Sequence, residues 1–139
     1  MSALALPPGL MTSVMKAIEG LEATFIDSRI VVEADGSGGA RICVETVGLG
    51  EQYMQAESWM GGHLVAQLPY ADVYPLFVRG DLARRDGRPL GIALSAGHAF
   101  LRRPAVQVSR RSRRKDPTIE TPAVKFIKVL EWIRRHPGG

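Results

Sequence analysis

Gly61 to Leu82 reads GGHLVAQLPYADVYPLFVRGDL. After the two glycines the residues alternate, with Leu64, Ala66 and Leu68 on one side and His63, Val65 and Gln67 on the other. A period of two marks a half-buried strand, so the pattern predicts a strand over His63 to Pro69. Pro69 has no N–H to give to a ladder, and regular pairing should stop there. Tyr70-Ala71-Asp72-Val73-Tyr74-Pro75 reads as an ordered loop with Tyr70 and Tyr74 as aromatic anchors. Leu76-Phe77-Val78 then supplies a second apolar run.

Upstream, Ala40 to Val47 also alternates: Ala40, Ile42, Val44 and Thr46 share one face, and Arg41, Cys43 and Glu45 the other. Asp35-Gly36-Ser37-Gly38-Gly39 before it is a turn, because glycine takes positive φ without a steric penalty. No Lys-Ser or Lys-Thr pair accompanies these glycines, which argues for a hairpin rather than a phosphate cradle. Its partner strand lies within Phe25 to Ala34, around the β-branched Ile30-Val31-Val32. Leu10, Met11, Val14, Met15, Ile18 and Leu21 recur at helical spacing and predict a helix from Leu10 to Glu22. Residues 1–9 form a flexible, proline-bearing arm. Tyr53 to Met60 fits either a short helix or an irregular crossing.

Downstream, Asp81 to Gly97 reads as one long loop, and Ala105 to Ser109 as a short strand. Thr121 is a good N-cap, and Pro122 sits at the first helical position, where its missing donor costs nothing. Val124, Ile127, Leu130 and Ile133 line one face of the helix, widened by Phe126 and Val129. Lys125, Lys128, Glu131 and Arg135 line the opposite face, and Pro137-Gly138-Gly139 is a short tail. The order predicts a single α+β domain over residues 10–136. It has an N-terminal helix, an antiparallel four-stranded meander, a long loop, and a C-terminal helix packed on one face.

With 139 residues the chain is long enough for one core and too short for two. No apolar run approaches a membrane span, and the N-terminus lacks the basic lead and apolar stretch of a secretory signal. A lone cysteine, Cys43, forms no internal disulfide and favours a reducing, cytoplasmic setting. His63, His98 and His136 are scattered, which argues against a metal cluster; no cofactor motif is present. Charge is regional. Arg79 to Lys115 holds ten arginines and one lysine against Asp81 and Asp86, a net of +9, while the rest of the chain carries −5 within a total of +4.

The element order and two landmarks resemble the ubiquitin-conjugating-enzyme-like superfamily, closest to divergent bacterial members of ubiquitin-like conjugation systems. In that family an apolar strand ends in a proline-containing loop with a Tyr-Pro pair; here Leu64-Val65-Ala66-Gln67-Leu68-Pro69 leads into Val73-Tyr74-Pro75. The family's later helix often opens with proline and carries a Val-Leu-x-x-Ile-like stripe, which Pro122 and Val129-Leu130-Glu131-Trp132-Ile133 resemble. The resemblance spans Leu10 to His136. It implies thioester transfer, with a ubiquitin-like protein, its activating enzyme, or both as partners. One departure is serious: no cysteine lies between the Tyr-Pro loop and the later helix, and the His-Pro-Asn signature is absent. Gly91 to His98 falls where the reactive segment would sit. The resemblance therefore implies either a non-catalytic adaptor or a form whose cysteine is replaced by Ser95 or Ala96.

Ser95, Ala96 and His98 are the candidate catalytic segment. Ser95 and His98 could also serve a hydrolase, but no G-x-S-x-G elbow surrounds Ser95 and no orienting acid is identified. The plain alternative for His98 is a solvent-facing side chain, and for Cys43 a small core residue. Tyr74, Arg102, Arg103, Arg110, Arg111, Arg113 and Arg114 are the candidate partner-binding residues. The run Arg102 to Lys115 suits nucleic-acid phosphates or an acidic protein surface, since arginine pairs bidentately with either. Its plain reading is a solvated strand end. No RNA-binding aromatic signature or zinc-finger spacing accompanies it.

Overall fold

The computed structural model describes residues 5–113 and 116–139. Along the chain run α1 (Thr12–Thr24), β1 (Ile30–Ala34), β2 (Ala40–Gly48), β3 (Glu57–Leu64), β4 (Leu76–Arg79), β5 (Leu94–Phe100), β6 (Arg103–Val108) and α2 (Pro122–Arg135). The architecture is α+β. Its sheet has six strands where the sequence pattern led to four, in the order β1-β2-β3-β4-β6-β5, with every pair antiparallel.

The two faces of the sheet differ. Ala40, Ile42, Val44, Met60, Leu64, Leu76, Val78, Val106 and Val108 join Val14, Ile18 and Leu21 of α1 and Phe126, Val129, Leu130 and Ile133 of α2 in one buried cluster. Each of the larger aliphatic or aromatic side chains taken fully out of water stabilises the fold by about 1.5–3 kcal/mol. The other face carries Cys43, Trp59, Gly61 and Phe77, and the β5–β6 hairpin bends over it. Phe100 lies against Gly61 and stacks on Phe77, with ring centroids 4.8 Å apart. From the hairpin tip, Arg102 reaches Glu33 on β1 at 2.9 Å, although β1 and β5 are opposite edges of the sheet. That two-residue tip places Leu101 and Arg102 at φ of 48° and 65°, the mirror-turn geometry that suits strand twist, without a glycine.

Several expectations are corrected. The central strand is not His63 to Pro69; β3 begins at Glu57 and stops at Leu64. Tyr53 to Met60 is therefore neither helix nor crossing in its second half. Gly61 and Gly62 sit inside the strand because only glycine fits. A Cβ at Gly61 would lie 2.5 Å from a Phe100 ring carbon, and one at Gly62 would lie 2.6 Å from a Leu76 methyl. In β2 an irregularity between Val44 and Val47 turns Thr46 outward and Val47 inward. The long loop ends at Ala93 rather than Gly97, and β5 takes up Ser95, Ala96 and Gly97. Tyr70 is 78% exposed and anchors nothing. On α2, Ile127 is exposed, whereas Lys125, expected on the solvent side, is 4% exposed.

The helix start is as read: the Thr121 hydroxyl accepts from the Val124 N–H, and Pro122 follows it. No helix is long and apolar enough to cross a membrane among the described residues.

Candidate functional site

Ser95, Ala96 and His98 lie on β5, the edge strand, and all three are exposed. An irregularity separates Ser95, opposite Gln107, from His98, opposite Ala105. No hydrogen bond joins Ser95 to His98, and no carboxylate orients the imidazole among the described residues. Nucleophilic catalysis needs a base held against the nucleophile. This segment provides an exposed strand edge, not a constellation.

Cys43 is buried on the face away from the helices, paired in register with Val31 on one side and Gly61 on the other. Burial pushes its thiol up to about 12; the nearby Glu45 carboxylate adds to the rise, and Arg103 opposes it. The thiolate is the reactive form, so Cys43 is chemically quiet. A cleft of about 640 Å³ opens beside it, lined by Trp59, Glu45, Glu57, Arg79, Asp81 and Arg103 among others. Its two arginines are already committed: Arg79 to Asp81 and Arg103 to Glu45.

A polar knot lies under the Tyr-Pro loop. Lys125 Nζ donates to both Asp72 oxygens at 3.0 and 3.2 Å, to the Arg110 carbonyl at 2.8 Å and to Ser112 Oγ at 3.0 Å. Ser112 donates its N–H and its hydroxyl to Asp72 as well. Burial pushes the Asp72 carboxyl up, but the hydrogen bonds from Ser112 and Lys125 together outweigh it and hold the group below its ordinary value. A Ser-Lys dyad would need an amine free to act as a base; this amine is committed to the Asp72 carboxylate, the Arg110 carbonyl and Ser112 Oγ. The knot is structural. It ties the loop to α2 and fixes the start of the arginine run. Reading the sequence missed Lys125 because the helical period alone puts it on the polar side.

The arginine run divides into two kinds. Arg102 and Arg103 form ion pairs with Glu33 and Glu45, 69 and 58 residues away in sequence. Arg110 and Arg111 meet no carboxylate among the described residues. The Arg110 guanidinium lies over the Trp132 ring, 4.8 Å from its centroid, and Arg111 over Tyr74 at 3.9 Å. Both arginines are exposed, and so is Arg113. Arg114 and Lys115 lie outside the described residues. The rings hold the two side chains by cation–π attraction, and among the described residues their side-chain N–H donors meet no protein acceptor. Trp132 was read only as part of an apolar stripe, and nothing in the sequence ties it to Arg110.

The C-terminal end of α2 is held differently. Tyr53 Oη donates to the Ile133 carbonyl at 2.7 Å, Gln52 donates to the Arg134 carbonyl, and Arg84 donates to the His136 carbonyl at 2.7 Å. Helix ends leave such carbonyls without intrahelical partners, and a cation there also opposes the dipole favourably. Among the described residues no buried side-chain nitrogen or oxygen lacks a partner, and no cluster of His, Cys, Asp and Glu is placed to hold a metal. Comparison with family models, curated proteins and solved structures finds nothing that matches this chain.

Proposed function

We propose that this chain is a non-catalytic, ubiquitin-conjugating-like adaptor that presents a ubiquitin-like protein or its activating enzyme within a ubiquitin-like conjugation system. The observation that carries the reading is the state of the sole thiol. Cys43 is buried, pushed up to about 12, and set within the sheet rather than in the segment before α2. A domain without an accessible thiol can bind a thioester partner but cannot take over its acyl group as a thioester. The resemblance supplies the partner class: the Tyr74-Pro75 loop leads into β4, and a proline-started helix follows the sheet. The exposed position of Ser95 and Ala96 favours an adaptor over a disabled enzyme, because neither has a base or acid beside it.

The test is incubation with a ubiquitin-like protein, its activating enzyme and ATP, read on a non-reducing gel and by affinity capture. Capture of either partner without a reductant-sensitive adduct supports the reading. A thioester on Cys43, or failure to retain either partner, overturns it. A nucleic-acid role for the whole Arg102–Lys115 region has less support, since Arg102 and Arg103 are neutralised within the fold.

A further inference from the structure

We infer that Arg110, Arg111 and Arg113 form a docking strip for a short acidic protein segment, whether or not the partner belongs to a ubiquitin-like system. The inference starts from the division among the arginines. Those at Arg79, Arg84, Arg102 and Arg103 each meet a carboxylate of this chain. Arg110 and Arg111 are instead held by Trp132 and Tyr74. Arg113 is exposed beside them and touches no other charged group among the described residues. Among the described residues, these three guanidinium groups, within four positions of one another, are exposed and meet no carboxylate.

The segment that carries them is not loose. Lys125 bonds the Arg110 carbonyl, and Ser112 is bonded to Asp72, so the backbone between the arginines is pinned at two points. A pinned backbone and ring-held side chains lose little freedom on binding, which raises affinity for a given set of contacts. Guanidinium forks match carboxylates bidentately.

Charge and shape favour a protein over a nucleic acid. Tyr74 and Trp132 are covered by arginine and are not free to stack bases. Exposed carboxylates flank the strip: Asp116 follows Arg113 after Arg114 and Lys115, which lie outside the described residues, and Glu131 precedes Trp132 on α2. A long polyanion would cross these carboxylates, whereas a short acidic segment would not.

The test uses the full chain and a fluorescein-labelled peptide of alternating glutamate and serine, with fluorescence anisotropy at low and high salt. Single-stranded and duplex oligonucleotides of mixed sequence run in parallel. The peptide should bind at low salt, and the double substitution Arg110→Glu and Arg111→Glu should weaken it by at least about tenfold. Arg113→Glu, which touches no described contact, should also weaken it without altering the fold by circular dichroism. Arg102→Ala, on the paired side, should leave binding unchanged. Tighter binding of either oligonucleotide than of the peptide, no peptide binding at low salt, or equal binding by the Arg113→Glu variant would overturn the inference.

Discussion

The two faces of this sheet are packed by different means. Toward the helices, β-branched and aliphatic side chains meet Phe126, Leu130 and Ile133 in one buried cluster. On the far side, Phe100 and Phe77 stack over a glycine, Arg103 sits 5.4 Å from the centre of the Trp59 ring, and Arg103–Glu45 and Arg102–Glu33 hold the hairpin down. The first face is stabilised by area removed from water. The second is held by stacked rings and ion pairs, and each face packs against one glycine: Gly61 on the far side, and Gly62 toward the helices, where a Cβ would lie 2.6 Å from a Leu76 methyl. The contrast therefore lies in what fills each face, aliphatic side chains on one and rings with ion pairs on the other.

Substitutions can break that contrast. The largest effect is expected for Phe126→Ala, whose ring is fully buried on the helix face; about 3–5 kcal/mol should be lost in urea unfolding. A loss under about 1 kcal/mol would mean that this face is not the main core. Gly61→Ala comes next, at about 1–3 kcal/mol, because the added methyl must displace the Phe100 ring. Part of that loss should return in the double variant with Phe100→Leu. If Gly61→Ala is neutral, the hairpin does not lie where described. Arg102→Ala is the smallest: both partners of its ion pair are well exposed, so the urea midpoint at moderate salt should not move measurably.

Two further measurements sharpen the far face. Cys43 should react with a thiol reagent near pH 8 about a thousandfold more slowly than an ordinary exposed cysteine, since its thiolate forms only near pH 12. Rapid labelling in the native state would contradict its burial. The acid side carries the opposite sign. The hydrogen bond from Arg102 and its charge hold Glu33 below the usual carboxylate range. A lowered carboxyl stabilises the fold above its unfolded pKa and loses that contribution as pH falls through the folded value. The hairpin tip should therefore loosen only as pH falls below the ordinary glutamate range, visible as faster exchange of its amides, and Arg102→Ala should remove that dependence.

The sequence disclosed some of this. The hairpin of β1 and β2 was legible because five turn residues separate two β-branched or alternating runs. The start of α2 was legible because Thr121 and Pro122 act locally. Those signals need no distant partner. β5 is hidden in the sequence because Ser95 to Ala99, mostly small and with no large apolar residue, are all exposed, so no alternation exists to read. β3 was shifted because Gly61 and Gly62 look like strand breakers until the residues packed on them are known. The candidate site was half legible. The arginine run is plain in the sequence, but which of its members are free depends on Glu33, Glu45, Tyr74 and Trp132, all remote along the chain. Lys125 was misplaced for the same reason: its buried partners Asp72 and Ser112 come from other segments.

The capped end of α2 bears on how the molecule opens. Residues 80–93 have almost no ladder of their own, yet Arg84 bonds the His136 carbonyl, His136 bonds the Ile92 carbonyl, and the Gly139 N–H bonds the Pro89 carbonyl. Residues 52–55 hold the first half of this loop, and the helix terminus holds the second. The second half of the loop and the last helical turn therefore form one cooperative unit, and neither should exchange its protected amides without the other. A ligand that frays the helix end would release that half at the same moment, some fifty residues earlier in the chain.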